Sequence, residues 1–166
     1  LATLLNHDIN LIGYHLPLDA HPVVGNNAQL AKLFGWTVSG YFGEYNLGVL
    51  GEPAQPLTQG ALVQQIEAVL GRSVTHIGDV NREVCKVAWC SGGADDWFAD
   101  AIDAGADFFL TGEIAEPAVH LAREAGVAFV AAGHHATERY GVKALGEWLH
   151  SEYGLECEFV DIDNPA

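Results

Sequence analysis

The chain has 166 residues, with 7 Lys+Arg against 22 Asp+Glu and hence a formal net charge of −15; 49% of residues are hydrophobic and 17% charged. A chain of this size buries roughly two-thirds of its extended surface, so a core forms without disulfide or metal, and a large multidomain enzyme is excluded. The negative charge repels polyanions and the few Lys and Arg are scattered, which argues against binding along DNA or RNA; a phosphate ligand would need a metal or backbone N–H groups.

Leu1, Leu4 and Leu5 share one helical face and read as the end of a helix. Segment 10–16 is short and apolar and runs into Pro17, which predicts a buried strand leading to a loop with Asp19 and His21. Asn26 is placed to cap a helix reaching about Leu33, Gly35 closes it, and 36–42 alternates as a strand. Between 43 and 59, Gly and Pro leave room only for a short strand at 48–50. Thr58 is placed to cap a helix through Leu70, with Leu62, Ile66, Val69 and Leu70 inward and Gly71 beyond its end. Strands at 73–77, 84–89, 108–110, 128–131 and 156–161 then alternate with helices at 94–104, 116–125 and 137–153. Gly105, Gly126 and Gly154 stand where these helices should stop. This rhythm predicts an α/β protein of layered, mostly parallel sheets flanked by helices.

Cys85, Cys90 and Cys157 are an odd set, and the C-x4-C spacing of the first two matches neither a redox nor a zinc motif. Reduced thiols are expected. No apolar run approaches the ~20 residues of a membrane span, and the first residues lack the basic region of a signal peptide, so a cytoplasmic protein is expected. The absence of Met and the opening on Leu1 lead us to expect a piece of a longer protein.

Two near-copies stand out: Ala-Gly-Ala-Asp-Phe-Phe-Leu-Thr-Gly-Glu ending at Glu113, and Ala-Gly-Val-Ala-Phe-Val-Ala-Ala-Gly-His ending at His134. Each reads as helix end, strand, Gly turn and polar residue, which places Glu113 and His134 at the ligand-binding rim of a sheet. His134 and Glu138 are four residues apart, so on a helix both side chains can reach one cation. The same pair also fits a helix-stabilising acid beside polar turn histidines. Asp19, at the end of Tyr14-His15-Leu16-Pro17-Leu18-Asp19, can ligate a divalent ion or merely cap a turn, with His15 a hydrogen-bonded histidine. Glu116 and His120 read as helix-start charge and surface. Cys90-Ser91-Gly92-Gly93 could offer N–H groups to an anion or form a tight turn, and it lacks the P-loop Lys-Ser/Thr.

Taken together, Tyr14-His15-Leu16-Pro17-Leu18-Asp19-Ala20-His21-Pro22, Gly25-Asn26-Asn27, Val87-Ala88-Trp89-Cys90-Ser91-Gly92-Gly93, Thr111-Gly112-Glu113 and Gly133-His134-His135-Ala136-Thr137-Glu138-Arg139 resemble the NIF-three-like family of dinuclear-metal, hexamer-forming proteins, the GTP cyclohydrolase type 2 homologues. The closest likeness is to its short bacterial subgroup. The resemblance implies two divalent ions (iron, manganese or zinc) with Asp19, His134 and Glu138 among five ligands; the other two are an adjacent His pair expected upstream of Leu1, in a protein beginning roughly 80 residues earlier. Metal loading of the chain alone is therefore expected to be incomplete.

The resemblance further implies a metal-dependent hydrolase of the cyclohydrolase type acting on a nucleotide-like small molecule, with Glu113 or His15 moving protons or orienting ligands, and a homo-hexamer. The alternatives are a metallophosphoesterase or a non-catalytic, ring-shaped binding protein. The implied lobes are 1–35, the remainder of a first α/β lobe, 36–130, a second, and 131–166, a C-terminal return to the first.

Overall fold

Start and stop signals in the sequence account for most elements of the computed structural model, which describes residues 1–166. The N-terminal part is the exception. Only two short helices form there, α1 (Ala2–Asn6) and α2 (Leu16–Asp19). The strand expected over 10–16 is absent: Leu11, Ile12 and Tyr14 are exposed with no strand beside them, and Pro17 instead enters the first turn of α2, where its missing N–H costs nothing.

From α3 (Asn26–Phe34), closed by Gly35, the chain enters β1 (Thr37–Phe42), a 3-10 turn at Glu44–Asn46 and β2 (Gly48–Glu52). After the two-residue β3 (Leu57–Thr58), the Thr58 hydroxyl accepts from Ala61 N at 3.2 Å and starts α4 (Gln59–Leu70). Gly71 closes α4 at φ +72, a left-handed conformation that glycine adopts without strain. Leu62, Ile66 and Leu70 are buried, and Val69 packs half-buried against the same core.

The alternation continues through β4 (Thr75–Ile77), β5 (Glu83–Val84), β6 (Val87–Trp89), a 3-10 turn at Asp95–Trp97, α5 (Phe98–Asp103), β7 (Phe108–Thr111), α6 (Glu116–Ala125), β8 (Ala128–Ala131) and α7 (His134–Tyr153). The single strand expected over 84–89 is split, because β5 pairs with β3 in a separate ribbon while β6 joins the main sheet. The strand expected over 156–161 does not form: Glu156 and Glu158 alternate with Cys157 and Phe159, but no strand pairs with them and the segment lies on the surface.

The main sheet has the order β1-β2-β6-β7-β8-β4. Its centre, β6, β7 and β8, is parallel, whereas β1 with β2, β2 with β6, and β4 with β8 pair antiparallel. Thus β1 runs with the central three strands, and β2 and β4 run against them. Helices cover both faces, as the expected α/β class requires. Leu30 and Phe34 of α3 and Leu62, Ile66 and Leu70 of α4 pack on Val87, Trp89, Phe108, Leu110 and Val130. The opposite face, with Ala88, Phe109, Phe129 and Ala131, takes Phe98 and Ala101 of α5 and Ala118 and Ala122 of α6. No helix is long and apolar enough to cross a membrane.

Basic side chains from distant positions close three helix ends. Arg139 donates to the Leu70 carbonyl (3.1 Å) at the end of α4, Lys86 to the Ala104 carbonyl (2.6 Å) beyond α5, and Arg82 to the Gly126 carbonyl beyond α6. Each satisfies an orphan carbonyl with a charge favoured at that end.

Phe109 lies fully buried, its ring centroid 5.6 Å from those of both Phe98 and Phe129. Replacing it with Ala should cost about 3–5 kcal/mol in urea unfolding of the intact protein; a loss under about 1 kcal/mol would contradict this packing.

Candidate functional site

The three parallel strands end in three glycine turns that continue the sheet one step further. Gly92 follows β6, Gly112 follows β7 and Gly133 follows β8; Gly112 N donates to Gly92 O at 2.7 Å, and Gly133 N to Gly112 O at 2.9 Å. A β-carbon at Gly112 would stand 2.7 Å from His134 Cα, and one at Gly92 would run into the Glu138 carboxylate. The near-copies in the sequence are thereby explained. They form neighbouring parallel strands, with Thr111 opposite Ala131, and deliver Glu113 and His134 side by side at the rim.

The helix expected from Thr137 begins three residues earlier, at His134, with Gly133 as an N-cap that supplies no side-chain bond. Thr137 is instead buried inside the first turn, where its hydroxyl accepts from Gly92 N at 2.9 Å and donates back to Gly133 O at 3.0 Å. This start puts His134 and Glu138 on one face: His134 Nε2 lies 3.1 Å from Glu138 Oε2, and its Nδ1 lies 2.5 Å from Glu113 Oε1. The hydrogen bond to Glu113 holds the His134 imidazole above its usual range against partial burial, helped by the charge of Glu138. Burial pushes the Glu138 carboxyl up, opposed by His134 and reinforced by the like charge of Asp19.

Asp19 is buried at the end of α2, and its Oδ1 accepts from Asn26 Nδ2 at 2.7 Å and from Ser91 Oγ at 3.4 Å. Gly25, and not Asn26, occupies the N-cap of α3. The Asn26 side chain bridges instead, donating to Asp19 and accepting from Gly141 N of α7 at 2.7 Å. Asn27 does similar work: its Oδ1 accepts from Ser91 N at 2.9 Å and its Nδ2 donates to Leu47 O at 3.0 Å. The Ser91, Gly92 and Ala94 N–H groups are taken by Asn27, Thr137 and Thr111, which leaves Gly93, beside the Glu113 carboxylate, as the one N–H between them; the loop is thus built mainly as a tight turn.

His15, Asp19 and Glu138 line one cleft of about 840 Å³, whose apolar wall includes Val142, Leu145 and Trp148 of α7. His15 is exposed, and its charge bears on Glu138. Glu116 stands in the first turn of α6, and His120 is exposed with no hydrogen bond of its side chain. The structure thus brings His134, Glu138 and Glu113 into contact and sets Asp19 and His15 around the same cleft as Glu138. As the side chains stand, no three His, Cys, Asp or Glu groups converge closely enough to hold a cation. The donor chemistry, an imidazole flanked by carboxylates, fits a divalent ion, while the number of converging donors falls short. Sequence reading missed the supporting roles of Asn26, Asn27 and Thr137. The signal was two adjacent Asn residues after a glycine at a helix start, where one capping residue suffices.

A model of the Duf34/NIF3 (NGG1p interacting factor 3) family matches residues 1–165. The chain belongs to this family. It is 56% identical over 166 residues to a protein of Neisseria meningitidis serogroup B and 52% identical over 167 residues to one of Escherichia coli K12, both named "GTP cyclohydrolase 1 type 2 homolog". In each case the whole chain is covered, together with 67% of the relative. Among solved structures, ybgI, of unknown function, superposes with a TM-score of 0.94 at 51% identity, covering 99% of this chain and 66% of that one. TTHA1606 from Thermus thermophilus superposes with a TM-score of 0.83 at 30% identity, again covering 99% and 66%. The chain therefore spans about two-thirds of the length of its family relatives, and the expected family resemblance holds along its full extent.

Cys90, buried beneath this rim, has its thiol pushed up to about 12, chiefly by burial, so it stays protonated and unreactive through neutral and mildly alkaline pH. Cys85 and Cys157 are exposed. A thiol reagent at pH 8 should label these two in the native protein and Cys90 only after unfolding; rapid labelling of all three would show the rim to be open.

Proposed function

We propose that this chain supplies Asp19, His134 and Glu138 to the divalent-metal centre of a hydrolase of the cyclohydrolase type, completed by residues from the rest of the protein. The observation that carries the reading is His134 held between two carboxylates, Glu138 at Nε2 and Glu113 at Nδ1, beside a cleft that Glu138 shares with Asp19. Relatives named for GTP cyclohydrolase support the reaction class. The resemblance supports iron, manganese or zinc as the metal, an upstream His pair as the remaining ligands, and a homo-hexamer as the assembly.

Bound divalent ions would supply Lewis acidity and a water activated at neutral pH. The chain's own residues prepare the site. The carboxylate of Glu113 at His134 Nδ1 fixes the ring so that Nε2 faces Glu138, the arrangement that orients metal-binding histidines generally. Asn26 and Ser91 engage Asp19 through one oxygen and so fix the direction of its carboxylate. Glu113, exposed at the rim, can accept or return a proton, and His15 lies at the cleft for the same role or for orienting a substrate. The ring of a purine-like substrate would find its apolar contacts on Val142, Leu145 and Trp148.

Two measurements test the reading. In the intact protein, Glu138→Ala and His134→Ala should each remove at least half of the bound metal by elemental analysis, and unchanged stoichiometry would reject the ligand assignment. Metal-loaded intact protein given GTP should release formate. Inorganic phosphate without formate would identify a phosphoesterase, and full metal content with turnover of neither would favour a binding protein.

A further inference from the structure

The first turn of α7 carries two pairs at helical spacing, His134 with Glu138 and His135 with Arg139, the second standing about 100° round the helix from the first. The second pair faces away from the rim glycines, toward a cleft of about 500 Å³ between the end of α4 and the C-terminal segment. One carboxylate serves both of its members: Asp161 Oδ2 lies 3.2 Å from Arg139 Nη1, and Asp161 Oδ1 lies 3.7 Å from His135 Nε2. His135 Nε2 is itself buried, without a hydrogen-bond partner, so Asp161 is the charge that it faces. Arg139 also donates to Leu70 O at 3.1 Å and so ties the turn to the end of α4. Arg72, just past that end, donates to the carbonyls of Pro165 and Ala166 at 2.9 and 3.0 Å, and its guanidinium fills the space where Gly133 lacks a side chain.

From these contacts we infer that Asp161 is a positioning residue for the His134 and Glu138 side chains, with the segment from Asp161 to Ala166 acting as an external splint on the turn that carries them. This rests on the metal-centre reading above. The helix start has no side-chain cap of its own; Thr137 at the Gly92 turn and Asn26 at Gly141 hold it from the inside, while on the outside Arg139 is tied to Leu70 O and to Asp161, whose second oxygen faces His135. Each residue that Asp161 holds is the immediate chain neighbour of a proposed ligand. Removing Asp161 takes away one support from the outer side of this turn, and any shift of the turn moves His134 and Glu138 together. Asp161 is half-exposed, and ion pairs at that exposure contribute little to global stability. Its effect should therefore fall on the geometry of the site and spare the fold.

The experiment is a zinc titration of the intact, metal-free protein against a competing chelator, with thermal unfolding of the same metal-free samples. Asp161→Asn should weaken zinc binding by about tenfold or more, the range seen when contacts behind a ligand are removed, while the unfolding midpoint stays within about 4 °C of the parent. Asp161→Glu, which keeps the charge, should restore most of the affinity. Arg139→Lys, which keeps charge but loses the paired donors, should weaken binding in the same direction and serves if Asp161→Asn does not fold. Parent-like zinc affinity in Asp161→Asn, with or without a lowered midpoint, would reduce the segment to a surface anchor and overturn the proposal while leaving the metal reading intact. A parent protein that takes up no zinc, iron or manganese would sink both.

Discussion

Three glycines standing side by side at the end of the parallel strands are the constraint from which the site follows. Gly92, Gly112 and Gly133 bring three main chains so close that Gly112 N and Gly133 N bond directly to the preceding turn's carbonyl. That approach leaves no room for a β-carbon at the middle position, Gly112. Glu113 and His134 are the next residues on two of those chains. Their adjacency is thus a property of the backbone, on which the contact between the two side chains is built.

Around that rung the protein concentrates its few buried polar groups. Asn26, Asn27, Ser91, Thr111 and Thr137 are all buried, and each bonds a backbone or carboxylate group from a different element. Such groups cost free energy when unpaired and fix a single arrangement when fully paired. Here they lock α3 and α7 to the turn after β6. The Gly141 N–H that meets Asn26 requires a residue without a side chain, since a β-carbon there would lie 2.6 Å from Asn26 Oδ1. Asp19, far away in sequence, is carried to the rim by this same set of bonds.

What could be read from the sequence was whatever is local. Glycine at a helix end has a conformational reason, so Gly35, Gly71, Gly126 and Gly154 marked their stops correctly. The His134 and Glu138 spacing likewise encodes a shared helical face. Partnership is not local, and the misreadings concern it. Segments 10–16 and 156–161 have the composition of strands but no neighbouring strand, and 84–89 is divided because β3 competes for its first part. Asn26 fits a capping pattern, yet burial beside Asp19 and α7 redirects its amide. The third parallel glycine, Gly92, was visible only as a turn because its two companions come from strands well apart in the chain.

The cations that close helix ends also shape what the molecule shows to its surroundings. Of 7 Lys and Arg residues, Arg72, Arg82, Lys86 and Arg139 are engaged with main-chain carbonyls, leaving Lys32, Arg123 and Lys143 against 22 acidic residues. Few positive side chains are therefore left free to pair with the acidic surface. Self-repulsion among the 22 acidic groups is relieved by counterions, whereas the hydrogen bonds from these cations to uncharged carbonyls depend less on salt. Brine should suit this fold better than dilute buffer, the reverse of what its handful of charge pairs would suggest.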